Sequence, residues 1–225
     1  MKTRRFSLKW FGWLILGATS TATAENLSGA FNAKGDLAQE HLLTNTLRGK
    51  IEGIHYKIRL LYRDSPTTVL AIHAGKTEIG TGELARSIAD EKNHNLYIFE
   101  SLIDGLHITS TRFDEPRAIE LVSKSESCLS IHGFKEKIRK SICIGGQNEK
   151  LRSQIKQALS EKGLEIEIVS TCPEHLRGKH PKNIVNRCKK AGVQIELSNP
   201  LRKRILDDPI FRKKIAQTLA DELSR

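Results

Sequence analysis

Short apolar runs, several of them ending in a histidine or holding a carboxylate, constrain this chain more than any other feature. Residues 67–73 (TTVLAIH), 128–132 (CLSIH), 141–144 (SICI) and 193–197 (VQIEL) have the length and composition of strands covered on both faces. Residues 54–62 alternate like a half-buried strand, and 95–100, 106–109 and 164–169 also read as strands. Helices are expected at 83–89, at 116–122 after Asp114-Glu115, at 148–162 and at 209–223. In the third of these Leu151, Ile155 and Leu159 recur at every fourth position, and Gly163 marks the stop. Strands alternating with helices imply a layered α/β domain around a largely parallel sheet. No composition shift marks a second domain, and 225 residues suffice to bury roughly 70% of the unfolded surface.

The first 24 residues stand apart. Lys2, Arg4, Arg5 and Lys9 precede and flank an apolar stretch, residues 10–17, and Ala22-Thr23-Ala24 supplies an A-x-A cleavage pattern. The stretch is short of the roughly 20 apolar residues that a spanning helix needs, so no stable membrane anchor is expected. The reading is a cleaved signal at 1–24, a polar N-terminal segment at 25–48 and one folded domain at 49–225, exported to the periplasm or medium. Arg4-Arg5 leaves the twin-arginine and general secretory routes both open.

Export bears on the four cysteines, Cys128, Cys143, Cys172 and Cys188. An even number in an exported protein favours disulfides. Cys172–Cys188, which brackets a loop containing Pro, His and Gly, is the favoured pair. Cys128 and Cys143 sit in neighbouring apolar runs as a second pair or as buried thiols. No C-x-x-C occurs, so a cysteine zinc site is not expected.

Net charge is +11. Of 37 Lys and Arg residues, four lie before residue 25, where there is no acid, so 33 face 26 acids, a surplus of +7 in the expected mature chain. Such a surplus points to an anionic partner without naming it. Nucleic acid is not expected, because aromatics are 5% of the chain and both tryptophans lie in the signal.

Chemistry in such sheets gathers where strands end and loops leave them. His73 and His132 end apolar runs with Gly75 and Gly133 close behind, and Glu196 sits inside an apolar strand. Taken singly, a strand-ending histidine is a hydrogen-bonded structural residue, and a strand glutamate faces solvent. Taken together with Glu78, in the glycine-containing loop after His73, they offer two imidazoles and a carboxylate, a catalytic zinc set with water in the open position. Glu196 is then available as base.

Six ordered segments add to this reading: AIHAGKTEIGTGELARSIA, LHITSTRFDEPRA, LSIHGF, ICIGGQNEKLR, PKNIVNR and GVQIELSNPLR. In this order they resemble the phage-type poly-γ-glutamate hydrolase family from about residue 50 to the C-terminus. The resemblance implies a metallo-carboxypeptidase-like fold, a three-layer αβα sandwich with a mixed, largely parallel sheet. It implies one Zn²⁺ per chain on His73, Glu78 and His132, and Glu196 as general base. Ala74, Lys76-Thr77, Gly82 and Asn199-Pro200 depart from the family pattern without removing a ligand.

A γ-glutamyl substrate carries carboxylates that need donors. Asn183, Asn186 and Arg187 are the first candidates for a clamp, with Arg202 second. His107, Phe113 and Asp114 are expected to support the site, and His175 and His180 to be surface residues. The expected activity is hydrolysis of γ-glutamyl amide bonds in an anionic polymer or peptide by a monomer. A carboxypeptidase-type exopeptidase and a non-catalytic basic module that binds an acidic polymer are the alternatives.

Overall fold

A computed structural model describes residues 47–113 and 115–225. The expected signal, nearly all of the 25–48 segment and Asp114 lie outside the described residues.

Seven strands form one mixed sheet: β1 (Tyr56–Leu61), β2 (Thr67–Gly75), β3 (Asn95–Ser101), β4 (Ser127–Phe134), β5 (Ser141–Gly146), β6 (Glu167–Ile168) and β7 (Gly192–Ser198). Their order is β1-β3-β2-β4-β7-β5-β6. The central strands β3, β2, β4 and β7 run parallel, whereas β1 and β5 pair antiparallel with β3 and β7. The parallel strands are the continuously apolar runs. Every residue of β7 is buried, as is every residue of β2 except Gly75.

Four helices cover one face: α1 (Thr81–Glu91), α3 (Glu149–Glu161), α4 (Asn199–Asp207) and α5 (Pro209–Leu223). They pack Leu84, Ile88, Leu151, Ile155, Leu201 and Leu219 onto Val69, Leu129, Ile131 and Ile195. The other face carries α2 (Pro116–Lys124) and a 3₁₀ turn at Ile184–Arg187. Loops cover the rest, and the site opens on that side. Helix starts follow side-chain chemistry. Glu115 accepts from Ala118 N, Asn148 from Leu151 N, Ser198 from Leu201 N and Asp208 from Phe211 N.

Several expectations are corrected here. Residues 106–109 are not a strand, because their carbonyls are engaged by side chains: Leu106 O accepts from Thr77 Oγ1, and Ile108 O from His73 Nε2. The strand expected at 164–169 shortens to Glu167–Ile168. Helix α4 was not expected. Ser198 caps it, and Pro200 lies in its first turn, where the missing N–H is harmless.

The disulfide joins Cys143 to Cys172, not Cys172 to Cys188. Cys143 points to the loop-covered face of β5 and packs with Cys172 and Leu176. Cys128 and Cys188 are buried free thiols in the core on the α2 side. Phe113 belongs to that core too, edge-on to Tyr97 and Phe99 with centroids 6.0 and 5.8 Å away.

Candidate metal centre and catalytic cleft

A bulge puts the first histidine in place. The β2–β3 register shifts between Ala71 and Ala74, so Val69, Ala71 and Ala74 all face the four-helix side. His73 thereby joins Leu70 and Ile72 on the opposite face. On β4 the period of two brings Ser130 and His132 to that same face, and on β7 it brings Gln194 and Glu196. His132 and Glu196 are register partners on adjacent parallel strands.

The side chains converge closely. His73 Nδ1 lies 3.0 Å from Glu78 Oε1 and 3.0 Å from His132 Nδ1. His132 Nδ1 lies 3.7 Å from Glu78 Oε2, which accepts from Gly133 N at 2.8 Å. All three residues are buried, Glu78 at 8% exposure. The outer nitrogens are engaged as well. His73 Nε2 donates to Ile108 O at 2.7 Å, and His132 Nε2 pairs with Ser130 Oγ at 2.8 Å.

A backbone carbonyl only accepts, so His73 carries its proton on Nε2 and a neutral ring presents a lone pair at Nδ1. Ser130 Oγ as acceptor gives His132 the same tautomer. In that tautomer two imidazole lone pairs and a carboxylate face one another across about 3 Å, an arrangement that a cation between them satisfies. The donor set therefore fits a metal ion, with both imidazoles oriented by outer hydrogen bonds.

His107 joins the cluster from the irregular segment before Ile108. Its ring centroid is 4.1 Å from that of His73, and His73, Glu78 and His107 offer ligand atoms within 4.8 Å of one another. His132 makes the shorter approaches and is the better anchored, whereas His107 is solvent-exposed. His107 thus stands at the open side of the cluster.

Burial above all, with His73 beside it, pushes the His132 imidazole down to about 3. Burial alone would raise Glu78, but the neighbouring His73 and His132 and the bond from Gly133 N hold it below the ordinary carboxylate range. Burial, and then the Glu78 charge, raise Glu196 well above that range. Gln194 Nε2 donates to Glu196 Oε1 at 2.8 Å, and Asn183 Nδ2 donates to Gln194 Oε1 at 2.7 Å. Oε2 of Glu196 has no hydrogen-bond partner among the described residues.

The expected clamp residues divide. Asn183 orients Gln194, as above. Asn186 Nδ2 donates to Gly178 O and His180 O, and the Arg187 guanidinium donates to Lys182 O, so both shape the loop rather than face the cleft. Arg202 is half-buried over Gly133, where a β-carbon would come within 2.6 Å of its Nε. It donates to Ile79 O and Asn199 Oδ1, leaving Nε buried without a partner. Burial lowers its proton affinity, and the charges of Glu78 and Glu196 raise it.

His73, Glu78, His107, His132, Asn183, Gln194 and Glu196 line a cleft of about 370 Å³; Asn186, Arg187 and Arg202 are outside its lining. Its rim includes His175, Lys179 and His180; the two histidines are exposed surface residues, as expected, and the surface they occupy is the mouth of the cleft. Sequence gave them no distinguishing signal, since nothing in it shows which way the loop folds.

Comparison with known proteins bears on the family and the fold. The sequence model of the family described as Poly-gamma-glutamate hydrolase matches residues 42–224. UPF0714 protein YndL of Bacillus subtilis (strain 168) is 37% identical over 146 residues, covering 63% of this chain and 56% of that protein. The SPbeta prophage-derived UPF0714 protein YoqZ of the same organism is 33% identical over 188 residues, covering 81% of this chain and 67% of that one. The matches thus span a little over half to two thirds of these relatives' length. A bacteriophage poly-gamma-glutamate hydrolase structure superposes with a TM-score of 0.73 at 29% identity, covering 81% of this chain and 93% of that one. A zinc-free apo structure of YndL superposes with a TM-score of 0.70 at 29% identity, covering 80% and 94%. The chain belongs to the poly-γ-glutamate hydrolase family.

Proposed function

We propose that this chain is an exported, monomeric zinc hydrolase that cuts γ-glutamyl amide bonds in poly-γ-glutamate or a related γ-glutamyl peptide. The observation that carries the reading is the convergence of His73 Nδ1, His132 Nδ1 and the Glu78 carboxylate, each with its outer atoms already engaged. Export rests on the signal pattern in residues 1–24.

His73, Glu78 and His132 would hold one Zn²⁺, which when bound acidifies water toward neutral pH and polarises a carbonyl. The zinc-free state named for the YndL structure supports that choice of metal. Glu196 acts as base: Gln194 holds Oε1, so Oε2 is free to take the proton of the attacking water and deliver it to the leaving nitrogen. Its raised proton affinity makes it a stronger base than an ordinary carboxylate. Arg202 supplies a fixed positive charge close to Glu78 and Glu196, placed to offset negative charge that develops on the substrate.

The test is cleavage of purified poly-γ-glutamate by the mature protein, before and after chelation and after zinc is restored. The expected result is shortening of the polymer to γ-linked oligomers, abolished by chelator and recovered with zinc. Undiminished cleavage by metal-free protein rejects the mechanism, and no cleavage with zinc bound rejects the substrate.

A further inference from the structure

The loop from Cys172 to Asn183 is built to a specification that the metal cluster does not need. Four consecutive carbonyls are held by the body of the protein. Arg177 O accepts from Gly146 N, Gly178 O and His180 O accept from Asn186 Nδ2, and Lys179 O accepts from Gln147 Nε2. Gly145 lies so close beneath that a β-carbon there would come within 2.2 Å of Arg177 O. The Cys143–Cys172 bond anchors the start of the loop, and Cys143 is the β5 register partner of Glu196. A loop this heavily tied through its backbone holds its side chains in a defined place.

Three of those side chains, His175, Lys179 and His180, are cationic or hydrogen-bond donors, and Glu174 is the one acid beside them on the rim. His175, Lys179 and His180 are exposed and line the same cleft as His73, Glu78, His132 and Glu196. His180 Nδ1 accepts from Lys182 N at 3.0 Å, which leaves Nε2–H as a donor in the neutral ring. Lys179 has an exposed, long contact with Glu149 at 3.7 Å, of the kind that contributes little and exchanges readily. Inside the rim the cleft holds the carboxylates of Glu78 and Glu196, which repel an anionic ligand. In the cleft lining the fixed cation is Lys179, on the rim, with His175 and His180 on either side and Glu174 as the opposing rim acid.

We propose that His175, Lys179 and His180 form a carboxylate subsite that receives the side carboxylates of the glutamyl chain next to the bond being cut, and that this subsite selects an anionic substrate. This rests on the glutamyl substrate proposed above. Every residue of a γ-linked chain carries one free carboxylate, so a fixed cation with flanking imidazole donors at the mouth recognises the chain while the reacting amide reaches the metal cluster. The disulfide is then a positioning device for specificity as well as a staple.

Binding tests this apart from turnover. Fluorescently labelled poly-γ-glutamate is titrated onto the full mature chain carrying Glu196→Gln, with and without Lys179→Glu, Lys179→Arg or the pair His175→Ala/His180→Ala. Poly-γ-glutamate whose carboxyls are amidated serves as competitor. The expected result is a Kd about tenfold weaker with Lys179→Glu and with the histidine pair, near-parental with Lys179→Arg, and no competition by the amidated polymer. Equal Kd across these variants, effective competition by the amidated polymer, or no binding by the Glu196→Gln parent overturns the subsite. Rim-dependent binding by a protein that never cuts the polymer leaves the subsite standing and rejects the proposed reaction instead.

Discussion

His73 Nδ1 and His132 Nδ1 face each other at 3.0 Å, while the Nε2 atoms of both rings are engaged by Ile108 O and Ser130 Oγ. With both Nε2 atoms donating, the Nδ1 lone pairs of the two rings turn toward each other, an arrangement that a cation between them satisfies. His132→Ala should therefore lower metal affinity by a hundredfold or more. His107→Ala, at the exposed side of the cluster, should lower it by about tenfold or less. Titration with zinc against a competing chelator measures both, and equal losses would place His107 in the ligand set beside His132.

Asn183 acts two steps from the chemistry. It holds Gln194 Oε1, and Gln194 holds Glu196 Oε1. Asn183→Ala should leave zinc content unchanged and lower kcat by roughly tenfold, within the range for groups that orient a reacting residue. Loss of zinc in that variant would show that the chain of amides supports the metal site rather than the base.

The metal-free protein should be labile to acid. His132 is held down to about 3 by burial and by His73, below the ordinary value of 6.5, so the unfolded chain binds a proton that the folded one refuses. Stability is thus full above about pH 6.5 and falls as pH drops toward 3. Glu78, also held below its ordinary value, adds to the loss in the same direction. Melting temperature of the chelated protein should fall steadily from pH 7 to pH 4, and His132→Gln should flatten part of that slope. A pH-independent melting temperature would contradict the burial argument.

The Cys143–Cys172 bond closes a separation of 29 residues, and chain-entropy reasoning gives it about 3–4 kcal/mol. The double variant Cys143→Ala/Cys172→Ala should lose about that much in denaturant unfolding. Removing Cys188 by Cys188→Ala should leave no disulfide signal missing, since Cys188 is a free thiol.

The sequence made the framework legible because burial on both faces leaves an unmistakable pattern. The runs at 67–73, 128–132 and 193–197 became the three adjacent strands β2, β4 and β7 that carry His73, His132 and Glu196. What stayed hidden depended on backbone direction. Residues 106–109 have strand composition, but their carbonyls answer to side chains of the site. The bulge that turns His73 across the sheet leaves no sign in composition. Arg187 has the chemistry of a clamp, yet its guanidinium closes on Lys182 O, while Lys179, of no apparent note in the sequence, stands on the cleft. The disulfide is hidden in the sequence for the same reason: Cys143 and Cys172 meet because β5 lies antiparallel beside β7 at the edge of the cleft.

The most direct test of the account is turnover of poly-γ-glutamate by the Glu196→Gln variant, measured together with zinc content on the same preparation. The account predicts about one zinc per chain, as in the parent, and turnover lowered by at least a thousandfold. Near-parental cleavage by that variant with zinc in place would contradict it and remove Glu196 from the role of base.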